Sequence, residues 1–305
     1  MHEESDDAQE GYIPVTGGLI WYQVVRPGEG IPLLTLHGGP GFPHDYLEPL
    51  ARLAGKRPII FYDQLGCGRS ERPNDVRFWQ RSRFVEELAQ VRHALHLEHI
   101  HLFGHSWGSM LAADYALTKP DGLMSLILAS PALSIPRWLQ DMEVYRKSLP
   151  IPVQEILEHH ERHGTTDSKD YEQAEMEFYR RYLCRLHPWP EALERTLAGE
   201  GASVYKTMWG PSEFFITGNL LHYDCTAYLG KITVPTLLTC GRYDEATPTT
   251  TAWYQSLLPG SELAVFEQSA HMPHLEEAEQ YLQTVDRFLW RVEQHHSALD
   301  EAPWF

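Results

Sequence analysis

Cysteine is scarce: Cys67, Cys184, Cys225 and Cys240 are the four copies in 305 residues, widely spaced and with no CxxC pair. That spacing suggests neither a disulfide framework nor a zinc site, and leaves reduced, mostly buried thiols as the expectation. Positive charge is also short, with 25 Lys and Arg against 42 Asp and Glu and a formal net charge of -17. A surface that tracks phosphates needs clustered cations, so nucleic acid is not an expected partner. No run of about 18 apolar residues occurs, so no membrane span is expected. The acidic stretch from Met1 to Glu10 lacks the basic and apolar regions of a signal peptide, and reads as a solvated, frayed tail on a cytoplasmic chain. Histidine is plentiful, at 17 copies, yet His93, His96, His99 and His101 lack the HExxH pattern, and His295 and His296 fall in a polar C-terminal helix or tail. No metal is therefore expected.

What is present describes a globular chain with a sizeable core: 43% of residues are apolar and 22% charged. The length suits one large α/β domain carrying an insertion. Eight short β-rich runs can be read. Tyr12 to Val15 and Leu19 to Val25 form a hairpin across Thr16-Gly17-Gly18, followed by Leu33 to Leu36, Ile59 to Tyr62, His101 to Phe103 and Leu126 to Ala129. The last two, Thr236 to Thr239 and Leu263 to Phe266, come only after a long interval. That interval reads as helices, Arg137 to Lys147, Val153 to His163, Lys169 to Leu186 and Glu191 to Leu197, punctuated by Pro150, Pro152, Gly164, Pro188 and Pro190. Alternating strands and helices predict a mostly parallel sheet covered on both faces. The expected organisation is a core of residues 1–132 and 232–305 with an inserted all-helical cap at 133–231.

Gly104-His105-Ser106-Trp107-Gly108 lies between the strand His101 to Phe103 and a helical run from Ser109 to Leu117, the setting of a nucleophile elbow. Taken alone, GxSxG is weak evidence, and Ser106 could simply cap the helix. Its partners decide between the two readings. A serine nucleophile needs a base and an acid to orient it, and Asp244 and His271 each follow a strand by a short loop, in the chain order this fold uses. His37-Gly38-Gly39-Pro40-Gly41, after the strand Leu33 to Leu36, suits an oxyanion loop, with Gly39 and Trp107 as the two backbone donors. It has neither the lysine of a P-loop nor a GxGxxG pattern. Acyl transfer through such a serine requires no metal or organic cofactor.

Together with Asp63-Gln64-Leu65-Gly66-Cys67-Gly68-Arg69-Ser70, Trp209-Gly210-Pro211-Ser212-Glu213-Phe214 and Gly241-Arg242-Tyr243-Asp244-Glu245, these motifs resemble the proline iminopeptidase family of α/β-hydrolases over nearly the whole chain. The resemblance implies an α/β-hydrolase fold with a helical cap, and a serine aminopeptidase that releases an N-terminal residue, preferably proline, from short peptides. It also implies that Glu213 and Glu245 read the substrate's free amine. Two carboxylates suit the two N–H donors of a protonated N-terminal proline. Asp63 and Cys67 are expected to support the site without doing chemistry. Tyr205, Trp209, Phe214, Phe215 and Phe42 are candidates for a slot around the pyrrolidine ring, with core packing as the ordinary role of such residues.

Two alternatives stay open on sequence. An amino-acid amidase, esterase or lactonase would use the same triad on another leaving group, and a non-catalytic binding protein could use the same fold. The expected partners are short peptides or amino-acid amides with a free N-terminus.

Overall fold

The computed structural model describes residues 8–26 and 28–300. Runs of β-branched and leucine side chains become strands, and the uninterrupted runs are those buried on both faces. Among the described residues there are eight strands: β1 (Ala8–Val15), β2 (Gly18–Val25), β3 (Leu33–Leu36), β4 (Ile59–Tyr62), β5 (Ile100–His105), β6 (Leu123–Ala129), β7 (Thr236–Gly241) and β8 (Glu262–Phe266). They make one sheet in the order β1-β2-β4-β3-β5-β6-β7-β8. The β1 and β2 hairpin is antiparallel, as is β2 against β4, and every later pair is parallel. β3, β4, β5 and β7 are buried at every position, as parallel strands covered by helices on both sides must be.

β1 corrects one expectation. It starts at Ala8, within the stretch read as a frayed tail, and pairs residue by residue with β2 from Ala8 opposite Val25 to Val15 opposite Gly18. As an edge strand it is largely exposed, so its first residues can be polar and carry no hydrophobic signal. Residues 1–7 of that tail lie outside the described residues.

Helices α1 (Arg81–Ala94) and α2 (Trp107–Leu117) belong to the first half of the sheet. Between β6 and β7 the chain forms no strand of the sheet. It runs instead through α3 (Ile135–Lys147), α4 (Ile151–His163), α5 (Lys169–Tyr182), α6 (Glu191–Ala198) and α7 (Ala202–Met208), then a 3-10 segment at Thr226–Lys231. The starts are set locally. Ser134 and Ser168 accept the Arg137 and Tyr171 N–H groups, and Gly164 closes α4 in the left-handed conformation. α5 stops at Tyr182, short of the expected Leu186, because tertiary partners take the following backbone: Arg185 N–H donates to Glu276 and the Cys184 carbonyl accepts from the Trp189 indole. α7 is an addition that the sequence reading did not include.

α8 (Pro248–Leu257), α9 (Pro273–Glu276) and α10 (Ala278–Asp300) complete the fold. No helix among the described residues is long and apolar enough to cross a membrane. Pairing of Leu36 with Gly104, His105 with Ala129 and Ala129 with Thr239 brings the carboxyl ends of β3, β5, β6 and β7 side by side. Open parallel sheets gather their sites on that rim.

Candidate active site

Ser106 occupies the one-residue turn between β5 and α2 with φ 53° and ψ -119°, a left-handed backbone that a residue with a side chain adopts only under constraint. Its flanking glycines supply the room. A Cβ on Gly104 would lie 2.2 Å from the Gly108 carbonyl oxygen, and one on Gly108 would lie 2.2 Å from that of Leu36. The helix begins at Trp107, two residues before the expected Ser109, and the Ser106 side chain makes no capping bond to it. The Ser106 carbonyl instead receives both the N–H and the hydroxyl of Ser109.

Asp244 and His271 converge on the same rim. His271 Nδ1 donates to Asp244 Oδ1 over 2.7 Å, and both side chains are buried. Three further donors fix the carboxylate: Ala246 N–H on Oδ1, Ser130 Oγ at 2.7 Å and Gly241 N–H at 3.2 Å on Oδ2. With Nδ1 carrying the hydrogen, the free Nε2 of His271 is left to act as the base. Ser106 and His271 line one pocket with Gly38, Gly39, Phe42, Tyr46 and Glu213, and no hydrogen bond yet joins Ser106 Oγ to the imidazole. Such bonds commonly tighten only around substrate.

The loop at residues 37–41, expected to supply an oxyanion donor, is held by its neighbours. Gln64 N–H donates to His37 Nε2 over 2.8 Å, which places the ring hydrogen on Nδ1, 3.1 Å from the Gly38 carbonyl. Phe42 N–H reaches the same carbonyl. In a planar trans peptide the Gly39 N–H points opposite to that carbonyl, so these bonds aim it. Trp107 opens α2, where its N–H lies outside the helical ladder. Neither N–H finds an acceptor among the described residues. Gln64 also accepts the Trp107 indole at 2.8 Å, and Asp63 receives the His44 and Arg69 N–H groups. Cys67 is buried against His37, and burial pushes its thiol well above the usual range. Gln64 and Cys67 thus contact the loop itself, and Asp63 anchors the backbone at His44 and Arg69 beside it.

Glu213 and Glu245 supply an unusual charge environment. Glu213 Oε1 accepts from the Tyr205 hydroxyl at 2.9 Å, and the Trp138 indole holds its backbone carbonyl. Its Oε2 and both oxygens of Glu245 are buried without a partner. Glu245 Oε1 lies 3.7 Å from His271 Nε2. Burial pushes Glu213 up to about 7, against the opposing pull of His271 and the Tyr205 bond. Burial and then the charges of Glu213 and Asp244 push Glu245 well above the carboxylate range. Two acids buried with open oxygens leave acceptors that a cation with several donors could satisfy. The helices between β6 and β7 clamp the Asp244-Glu245 turn, since the Tyr145 hydroxyl donates to the Asp244 carbonyl and Glu245 N–H to that of Tyr182.

Of the aromatic candidates, Phe42 lines the pocket and stacks on Tyr205 at 5.4 Å. Trp209 and Phe214 are packed inside, against Trp138 and against Phe178 respectively. Sequence reasoning missed Ser130, which holds Asp244, and Tyr46, Leu183, Thr196 and Met272, which also line the pocket. Ser130 directly follows β6, a position that could have flagged it. His44, Asp45 and Glu48 are close enough to share a metal ion, but His44 is bonded to Asp63, and Asp45 and Glu48 pair with Arg195.

An elbow serine, a histidine oriented by a buried aspartate and two aimed backbone donors on the rim of a mostly parallel sheet define a serine hydrolase of α/β-hydrolase type. The alpha/beta hydrolase fold family model matches residues 31–278. Within that fold the chain belongs to the proline iminopeptidase family. It is 51% identical to the proline iminopeptidase of Heyndrickxia coagulans over 92% of this chain and 98% of that protein. The crystal structure of the Mycobacterium smegmatis proline iminopeptidase superposes with a TM-score of 0.87 at 36% identity, covering 94% of this chain and all of the other. That of VinJ gives 0.90 at 38% identity, covering 93% and 99%.

Proposed function

We propose that the protein is a serine aminopeptidase that releases an N-terminal residue, preferably proline, from short peptides or amino-acid amides with a free N-terminus. The observation that carries this reading is the pair of buried carboxylates beside His271, three of whose four oxygens have no partner. A peptide's ammonium held there would sit one residue from its scissile carbonyl. That limits cleavage to the first bond. The names of the family relatives support the preference for proline.

In this mechanism Ser106 Oγ attacks the carbonyl carbon while His271 Nε2 takes its proton. The Gly39 and Trp107 N–H groups stabilise the tetrahedral oxyanion, and its collapse sends the proton from His271 to the leaving amine. Water then repeats the attack on the acyl-enzyme. Asp244 holds the imidazole in register throughout. Glu213 and Glu245 bind the ammonium, and residues 133–231 form a cap over a core of 1–132 and 232–305.

Comparison of kcat/KM for prolyl-naphthylamide, its N-acetyl derivative, prolinamide and a simple proline-free ester tests the reading. Acetylation removes the charge and should abolish cleavage. Equal cleavage of the free and acetylated compounds would replace the aminopeptidase reading with a general esterase or amidase.

A further inference from the structure

His105, the residue before the nucleophile, is used by none of these steps, yet both of its ring nitrogens are engaged. Nε2 lies 2.8 Å from the His271 carbonyl oxygen and Nδ1 lies 2.8 Å from the Tyr46 hydroxyl, while Tyr46 Oη accepts the Gly38 N–H at 2.8 Å. The partners fix every hydrogen in this row. A carbonyl can only accept, so His105 Nε2 carries the hydrogen and Nδ1 is bare. Tyr46 therefore donates to Nδ1, and its lone pair is free for Gly38. Burial, with His271 and His274 close by, holds the His105 imidazole well below its usual range, and burial raises the Tyr46 phenol, so both stay neutral.

We propose that Tyr46 and His105 are positioning residues, a hydrogen-bonded strut that fixes the oxyanion loop and the catalytic histidine relative to each other across the nucleophile. This rests on the acyl-transfer reading above. At one end the strut holds the peptide nitrogen next to the Gly39 donor. At the other it holds the carbonyl of His271, whose N–H is tied to the Leu183 carbonyl. Oxyanion stabilisation depends on donors already in place when charge develops. A loop or base displaced by a fraction of an ångström loses rate without losing substrate affinity.

Tyr46→Phe, His105→Gln and the double variant test the strut. Tyr46→Phe keeps the ring and deletes the link, and His105→Gln keeps a donor for the His271 carbonyl. The readouts are the rate and the final extent of Ser106 phosphonylation by a fluorophosphonate, and kcat and KM for p-nitrophenyl acetate, neither probe having an amine. Each single variant should slow phosphonylation and kcat about 10- to 100-fold with KM within about twofold. The extent of labelling should be unchanged, and the double variant no worse than the poorer single. Folded variants that label at the wild-type rate, that lose only labelling extent, or whose losses multiply in the double overturn the strut. Failure of the wild-type protein to label at Ser106 would instead overturn the acyl-transfer reading.

Discussion

Replacing Glu213 or Glu245 by Gln should move stability and activity in opposite directions. In the folded protein Glu213 titrates near 7, raised by burial from about 4.5. Below about pH 4.5 it is protonated whether the chain is folded or not, and contributes no difference. Between there and about pH 7 the unfolded chain sheds a proton that the folded chain keeps, so stability falls as pH rises and levels off above 7. The shift corresponds to about 3 kcal/mol at the plateau. Gln keeps the shape and loses the charge but remains a polar group, so recovery of roughly 1–2 kcal/mol is expected, or about 1.5–3 °C in Tm at pH 8 for a chain of this length. At pH 4.5 the gain should vanish. Catalysis should go the other way. Withdrawing one carboxylate from a desolvated ammonium costs about 2–5 kcal/mol, which is at least about 30-fold in kcat/KM for prolyl-naphthylamide. Turnover of p-nitrophenyl acetate, which has no amine, should change little. Calorimetry at both pH values alongside kinetics on both substrates decides the matter. A variant that is less stable at pH 8, or that loses peptide and ester activity equally, would show that these acids are structural.

Ser106→Ala should remove about 10⁶ of turnover on either substrate while leaving Tm and ammonium binding nearly unchanged, since the acid pair and oxyanion donors remain; substantial residual activity in pure protein would point to another nucleophile. Asp244→Asn should lower kcat by about 10⁴, because an amide at this position no longer holds the Nδ1–H tautomer of His271. A near-native rate in that variant would shift the orienting role to Glu245, 3.7 Å from the other ring nitrogen.

The parts of the fold and site that could be read in the sequence are those encoded locally. Continuous apolar runs mark strands buried on both faces, and all eight are found within a few residues of their expected places. The start of β1 was hidden because an exposed edge strand needs no apolar alternation. α7 was hidden because seven residues after Gly201 are too few to establish a helical period. Ser106, Asp244 and His271 could be singled out as a candidate triad because each sits just beyond a strand end, where short loops hold the side chain near the rim.

The supporting contacts are of another kind. Tyr46 meets His105 across 59 positions, Ser130 meets Asp244 across 114 and His105 meets His271 across 166. No motif spans such distances, and each of these residues has an unremarkable reading where it stands: an aromatic in the 3-10 segment His44–Gly55, a serine after a strand, the variable position of an elbow. What distinguishes them appears only when the parallel register sets four strand ends abreast. The same register explains why the acid pair is tolerable. Glu245 follows Asp244 on the β7 rim, and Glu213 comes from a turn after α7 in the segment between β6 and β7, so the two carboxylates meet only in the folded chain. Burial and mutual repulsion, both absent from the unfolded state, make the folded pair hold protons that the unfolded chain would shed near neutral pH, and that difference counts against folding. A pair left with three open oxygens in the core is therefore a standing cost, and an ammonium that brings several donors is a ligand able to offset it.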